Sequence, residues 1–296
     1  MNTLPFRPII RPDHRWLWLF ASCALFLNGC ISSKEVKDIV RDSNYQMLLA
    51  SAPGFETKLA TNPQEGNPAG SDEAAARINA FLEAHQDDPT MANALRVRQT
   101  LLYLNQRAFA LADSAFKQID AKTPLSPRDQ ALVAAYPDLR WWAEYAHTAE
   151  LTFSITHKEK ALEHINSLEQ QATRLVAAPD LRDYFLEMRA WIGLKLGLAT
   201  VNNPDFTKDI IQSAINLWAA TFSTDELTLL NSTNFKNVKP LDLSTRRVLR
   251  ARVLLMKLAA SMHSAREASL AASTPPPPDL AFSPPAFQKF YDSLAH

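Results

Sequence analysis

Apolar residues recur every three to four positions along most of the chain, the period of amphipathic helices. Ala74, Ile78, Phe81, Leu82 and His85 share one face. Ala108, Leu111, Ala112, Ala115 and Ile119, with Phe116 beside them, repeat at i, i+3, i+4, i+7 and i+11. Thr156-His157-Lys158-Glu159 has the form of a capping box and opens a stripe of Ala161, Leu162, Ile165, Leu168, Ala172, Leu175 and Val176. Similar patterns predict helices over 34–50, 91–105, 127–152, 179–200, 204–221 and 244–272, with Pro137 kinking or splitting the third of these. In the last and longest, Leu249, Val253, Met256 and Ala260 are expected to face inward. Residues 223–243 read as a loop holding one short turn after Ser223, whose partner is Glu226.

Glycine is scarce. After Gly70 only Gly193 and Gly197 remain, so hairpin turns that need positive φ have almost no suitable residues. Prolines instead mark helix starts at Ser126-Pro127, Ala178-Pro179 and Asn203-Pro204. The expected fold class is all-α, with antiparallel helix pairs stacked as a solenoid or right-handed helical array. Residues 51–70 read as a linker, and Pro275–Pro278 with Pro284-Pro285 make 273–285 an extended spacer. Beyond it Phe287, Phe290, Tyr291 and Leu294 form an aromatic stripe, expected to dock on the body as a cap; a partner-binding peptide is the alternative.

The one long apolar run, Trp16–Leu27, would span about 18 Å as a helix against a hydrocarbon layer of about 30 Å, too short to cross. Arg7, Arg11 and Arg15 precede it and Leu27-Asn28-Gly29-Cys30 follows, the layout of a secretory signal. These last four residues resemble the lipobox of bacterial lipoproteins, with Asn28 departing from the usual residue. The resemblance implies cleavage before Cys30, lipidation of its sulfur and, because Ile31 rather than Asp follows, the periplasmic face of the outer membrane. The expected division is a leader over 1–29, a lipidated tether with one helix over 30–70, a helical domain over 71–272, the spacer, and a terminal helix over 286–296. Cys23 leaves with the leader, so the mature chain has no free thiol and no disulfide. Its net charge is −2, and it lacks the basic surface that nucleic acid requires.

Met91 to Pro124 spans 34 residues, the period of the tetratricopeptide repeat (TPR). In that frame Tyr103, Ala112, Phe116 and Pro124 fall on motif positions, while Arg96 and Gln99-Thr100 depart from them. Ile119 continues the packing stripe. Phe81 to Pro89, followed by Ala92 and Ala94, is similar to the repeat junctions of the TPR lipoprotein in the outer-membrane barrel-assembly machinery. The resemblance covers about residues 71–124. It implies a helical adaptor or assembly factor that holds a segment of an envelope protein in a concave groove.

Candidate groove residues are Arg98 and Asn105 together with Arg140, Trp141, Glu144 and Tyr145, where Trp141 lies over Tyr145 and Arg140 pairs with Glu144 at i+4. Arg246, Arg247, Arg250, Arg252 and Lys257 run without an intervening acid; such runs are mostly solvated faces, and the functional reading is a basic surface for headgroups or an acidic partner. No two histidines of the mature chain have metal-helix spacing, and phosphate-loop, dinucleotide and Gly-x-Ser-x-Gly motifs are missing. No cofactor, metal or catalytic residue is therefore assigned. A second reading is a helical ligand-binding lipoprotein that passes a small solute or lipid to a transporter and needs a closed apolar cavity near Trp141, Trp191 and Trp218. A third, a peptidoglycan hydrolase, needs a glutamate in a cleft. The Cys30→Ala variant is expected to leave the membrane pellet while keeping its helical circular dichroism; continued sedimentation with membranes would refute the anchor.

Overall fold

Among the described residues five helices begin on proline: Pro89, Pro127, Pro179, Pro204 and Pro285. The ring pre-sets φ for the first helical turn, where the missing N–H has no partner to lose. Where the cap is polar it closes in the usual way. Asp88 accepts from the Met91 amide at 3.0 Å, and Ser126 Oγ from the Asp129 amide at 3.1 Å. These features come from a computed structural model, which describes residues 33–51, 71–85, 88–145, 157–175, 178–199, 204–232 and 243–294. Among the described residues every regular element is an α-helix. They are α1 (Ser33–Ser51), α2 (Ser71–Ala84), α3 (Pro89–Asn105), α4 (Phe109–Lys117), α5 (Pro127–Ala134), α6 (Tyr136–Tyr145), α7 (Lys158–Arg174), α8 (Pro179–Ala199), α9 (Pro204–Ala219), α10 (Thr224–Leu230), α11 (Leu243–Ala272) and α12 (Pro285–Asp292). The chain divides into two compact units, Met1–Met47 and Leu48–His296.

The all-α expectation holds, and Pro137 does split its helix, into α5 and α6. The linker over 52–70, Thr156 of the expected capping box, and Val176 lie outside the described residues. His157, next to α7, supplies no side-chain cap. The short turn after Ser223 is a full helix, α10, closed by a complete capping box between Ser223 and Glu226.

Glycine scarcity has a visible consequence. α3 and α11 both end in Schellman motifs whose left-handed residue is not glycine. At α3 it is Arg107 (φ 60°), with Ala108 N–H donating to the Tyr103 carbonyl and Arg107 N–H to Leu104. At α11 it is Ser273 (φ 53°), with Thr274 N–H donating to Ser269 and Ser273 N–H to Leu270. Each such residue costs about 1 kcal/mol relative to glycine. The tight turn of only three residues that folds α4 back onto α3 depends on it.

α8 is the centre of the body. Its residues from Tyr184 to Gly197 are buried, and it packs against α7, α9 and α11. A helix enclosed on all sides must be apolar all round, and Phe185, Met188, Ile192, Leu194 and Leu196 supply that surface. Gly193 is small for a different reason: a Cβ there would lie 2.8 Å from Ala214 Cβ on α9. This contact lets the two helix backbones approach closely.

α11 turns opposite to expectation. Val248, Ala251, Leu254, Leu255, Leu258 and Met262 face the core, while Leu249, Val253, Met256 and Ala260 are exposed. The helix carries apolar residues on both faces. The choice between them is made by Arg247 and Arg250, whose carboxylate partners stand on neighbouring helices. The 273–285 segment likewise is a strap rather than a free spacer. Leu280 and Phe282 are buried, and the Ala281 and Ser283 amides donate to Gln212 and Asn216 of α9 at 2.8 and 2.9 Å. The cap expectation holds for α12: Phe287, Phe290 and Tyr291 are buried, with Phe222 edge-on to Phe287 at 5.2 Å.

Gly193→Val is expected to destabilise the fold by about 2 kcal/mol, because overpacking at this helix crossing outweighs any gain in helix propensity. An unchanged midpoint in urea denaturation would show that α8 and α9 tolerate separation.

Candidate functional site

A cleft of about 610 Å³ is walled by α2, α3 and α4. Its geometry begins with the polar residues of α3. Asn93 is buried and grips the end of the α4 turn, donating to the Asp120 carbonyl at 2.8 Å and accepting from the Asp120 amide at 2.9 Å. Three residues on, the Arg96 guanidinium donates to the Gln118 carbonyl at 2.5 Å. Three further, Gln99 is buried and donates to Asn79 of α2. The i, i+3, i+6 spacing puts these three on one side of α3, where they tie it to α4 on one flank and α2 on the other. Tyr103, Leu82 and Leu111 complete the walls, with Leu111 53% exposed although it sits on the apolar stripe of α4.

At the rim, the Lys122 backbone amide and the Thr123 hydroxyl hold the Asp120 carboxyl below the ordinary carboxylate range. The cleft therefore offers amide, guanidinium and phenol groups beside two leucines. That mixture suits the backbone and alternating side chains of a bound peptide segment better than an apolar solute.

The sequence-predicted groove residues lie elsewhere, and apart from Asn105 they are engaged in contacts within and between helices. Arg98 forms a buried ion pair with Asp129 at 2.5 Å, joining α3 to α5. Asn105 is half-buried near the α3 terminus, its amide nitrogen without a hydrogen-bond partner. Arg140 does pair with Glu144 at 2.7 Å, but its guanidinium also covers the Phe109 ring at 4.2 Å and lies 3.4 Å from Asp113. Of the two adjacent tryptophans, Trp142 is buried. Trp141 stacks on His164 of α7 at 4.4 Å and meets Tyr145 at 5.0 Å, while Tyr145 meets His157 at 4.6 Å. Asp138 organises this seam by binding His164 at 2.6 Å and the Ser167 and Gln171 side chains at 2.9 Å each. The outward ring expected to line a groove is thus an interhelix contact.

The repeat-packing residues divide similarly. Ala112 is fully buried, Phe116 stacks on Tyr136 at 3.9 Å, Tyr103 and Ile119 are half-buried, and Pro124 is exposed.

The cationic run is mostly spent on internal contacts rather than on a basic surface. Arg247 lies 3.1 Å from Asp183 and 3.7 Å from Glu226, and over the Phe222 ring at 4.3 Å. Arg250 is 2.7 Å from Glu187, Arg252 covers Phe290 at 4.7 Å, and Lys257 covers Trp191 at 5.6 Å. Arg246, half-buried like the other four, makes no such contact among the described residues. Burial pushes the Glu187 and Asp183 carboxyls up, against the pull of the arginines.

What the sequence reading missed was the polar line Asn93, Arg96, Gln99. Arg96 and Gln99 stood out only as departures from the repeat motif, and their i, i+3, i+6 spacing on a largely apolar helix is the signal that marks them. Among the described residues no group of three or more His, Cys, Asp or Glu side chains is placed to hold a metal ion, and no helix is long and apolar enough to cross a membrane.

The raised Glu187 pKa has a definite sign. The folded state holds this proton at pH values where the unfolded chain has released it, so the stability contributed is complete below the ordinary glutamate range and is lost as pH rises through the raised value. The unfolding free energy of the native chain relative to Glu187→Gln is therefore expected to fall as pH rises above the ordinary glutamate range. Urea titrations of both proteins check this, and a difference that grows with pH would contradict it. Comparison with family models, with curated proteins and with solved structures finds no match.

Proposed function

We propose that the chain is a lipid-anchored, non-enzymatic adaptor of the bacterial envelope, tethered through Cys30 at the periplasmic face of the outer membrane. It holds a segment of a partner protein in the cleft between α2, α3 and α4. Stacked, TPR-like antiparallel helix pairs are part of the same reading.

The observation that carries it is the cleft itself. It is an open trough formed by three successive helices, its polar side chains already fixed by Asn79, Gln118 and Asp120 before any ligand arrives, with an exposed leucine on the rim. Pre-organised donors spare a bound segment part of the ordering cost. It also falls within residues 71–124, where the repeat resemblance lies. The small-ligand alternative asks for an enclosed apolar cavity beside Trp141, Trp191 and Trp218. Those rings are instead packed on His164, Lys257 and Phe222.

A photo-crosslinking residue at Ser114, inside the cleft, is expected to give a discrete adduct with one envelope protein in living cells. The same probe at Leu270, exposed on α11, is expected to give none. Leu111→Asp leaves the fold intact, since that side chain is exposed, and is expected to weaken the adduct about tenfold, the effect of one lost interface contact of about 1.4 kcal/mol. An adduct equally strong from both positions, or indifferent to Leu111→Asp, would remove the cleft from the partner interface.

A further inference from the structure

α1 begins three residues after Cys30 and carries a stripe of exposed apolar residues. Val36, Ile39, Val40 and Met47 are between 49% and 66% exposed. At 3.6 residues per turn they fall within an arc of about 100°, with only Ser43 among them, and the stripe is about 17 Å long. The charged residues lie off this arc. Lys34, Lys37 and Arg41 are balanced by Glu35, Asp38 and Asp42, and Arg41 reaches Asp42 at 2.9 Å and Asp38 at 3.4 Å. An uncovered stripe of large aliphatic side chains on one helix marks an interaction face.

Chain geometry says what lies closest to it. Three residues span at most about 11 Å fully extended, so acyl chains on Cys30 place the first turn of α1 at the level of the lipid headgroups. A self-paired coil is a poor occupant, because the a/d spacing 36, 40, 43, 47 puts Ser43 in the seam and runs for fewer heptads than such a coil needs. We infer that α1 lies in the plane of the bilayer interface, with Val36, Ile39, Val40 and Met47 seated at the acyl boundary and the mixed charges facing water. This rests on the reading that Cys30 is lipidated. Because the flanking charges cancel, contact depends on apolar burial and the anchor, and is insensitive to anionic lipid content and to salt.

The mature chain has no free thiol, so single cysteines introduced into the full lipidated protein can be labelled selectively. Ile39→Cys, Met47→Cys and Asp42→Cys would each carry an environment-sensitive nitrobenzoxadiazole probe on phosphatidylethanolamine vesicles with or without phosphatidylglycerol. Vesicle flotation reports the anchor independently of the probes. The expected result is flotation, with the Ile39 and Met47 probes blue-shifted and quenched by doxyl-labelled lipid, and the Asp42 probe quenched by aqueous iodide. Phosphatidylglycerol and salt are expected to leave this pattern unchanged. Flotation with the Ile39 and Met47 probes open to iodide overturns the inference and leaves the anchor standing. Failure to float removes the anchor and the inference together. Disulfide-linked dimers of unlabelled Met47→Cys would show a second copy on the stripe, which also overturns it.

Discussion

The body depends on the enclosure of α8. Burying a helix on every side removes water from all of its polar groups, and α8 nonetheless carries Glu187, Arg189 and Lys195 into the interior. An unpaired charge there costs several kcal/mol. Each therefore has to meet a partner on another helix. Glu187 meets Arg250 of α11. Arg189 meets Glu169 of α7 at 2.5 Å and Ser213 of α9 at 3.3 Å. Lys195 lies over the Trp142 ring of α6 at 5.6 Å.

These contacts point toward different neighbours, so together they define how the surrounding helices are rotated and translated about α8. Apolar packing alone tolerates several arrangements of similar area, because dispersion and hydrophobic burial are not directional. Pairs of charges in low dielectric are directional and penalise the wrong register. The same logic explains α11: exposing Leu249, Val253 and Met256 leaves Arg247 and Arg250 on the side where Asp183, Glu226 and Glu187 stand. With no cysteine after Cys30 and only two glycines after Gly70, precise side-chain pairing carries the specificity that cross-links or tight turns provide in other small domains.

The two ends of the body use polar side chains differently. At α11 and α12 amides and arginines close the structure, as where Gln212 and Asn216 grip the terminal strap. At α2, α3 and α4 the polar line on α3 ties its neighbours together at the edges of a trough instead of filling it. Asn93 and Gln99 both keep hydrogen-bond partners on neighbouring elements, so the trough stays open without leaving either buried amide unpaired. Function is read most readily from that combination of rigidity and access.

Local chemistry in the sequence was sufficient to determine the all-helical class, the proline-marked starts of α5, α8 and α9, the break at Pro137 and the apolar stripes of α4, α7 and α12, because capping, φ restriction and 3.6-residue periodicity act within a few residues. The cleft was not legible: the groove was expected at Arg98, Asn105 and residues 140–145, and the polar line of α3 stood out only as departures from the repeat motif. Which of two apolar faces of α11 turns inward, which cations are neutralised inside, and whether Trp141 faces a groove or His164 were decided by the tertiary structure alone. Each answer depends on a carboxylate or ring delivered from a helix dozens of residues away, and a one-dimensional pattern carries no information about which partner will arrive.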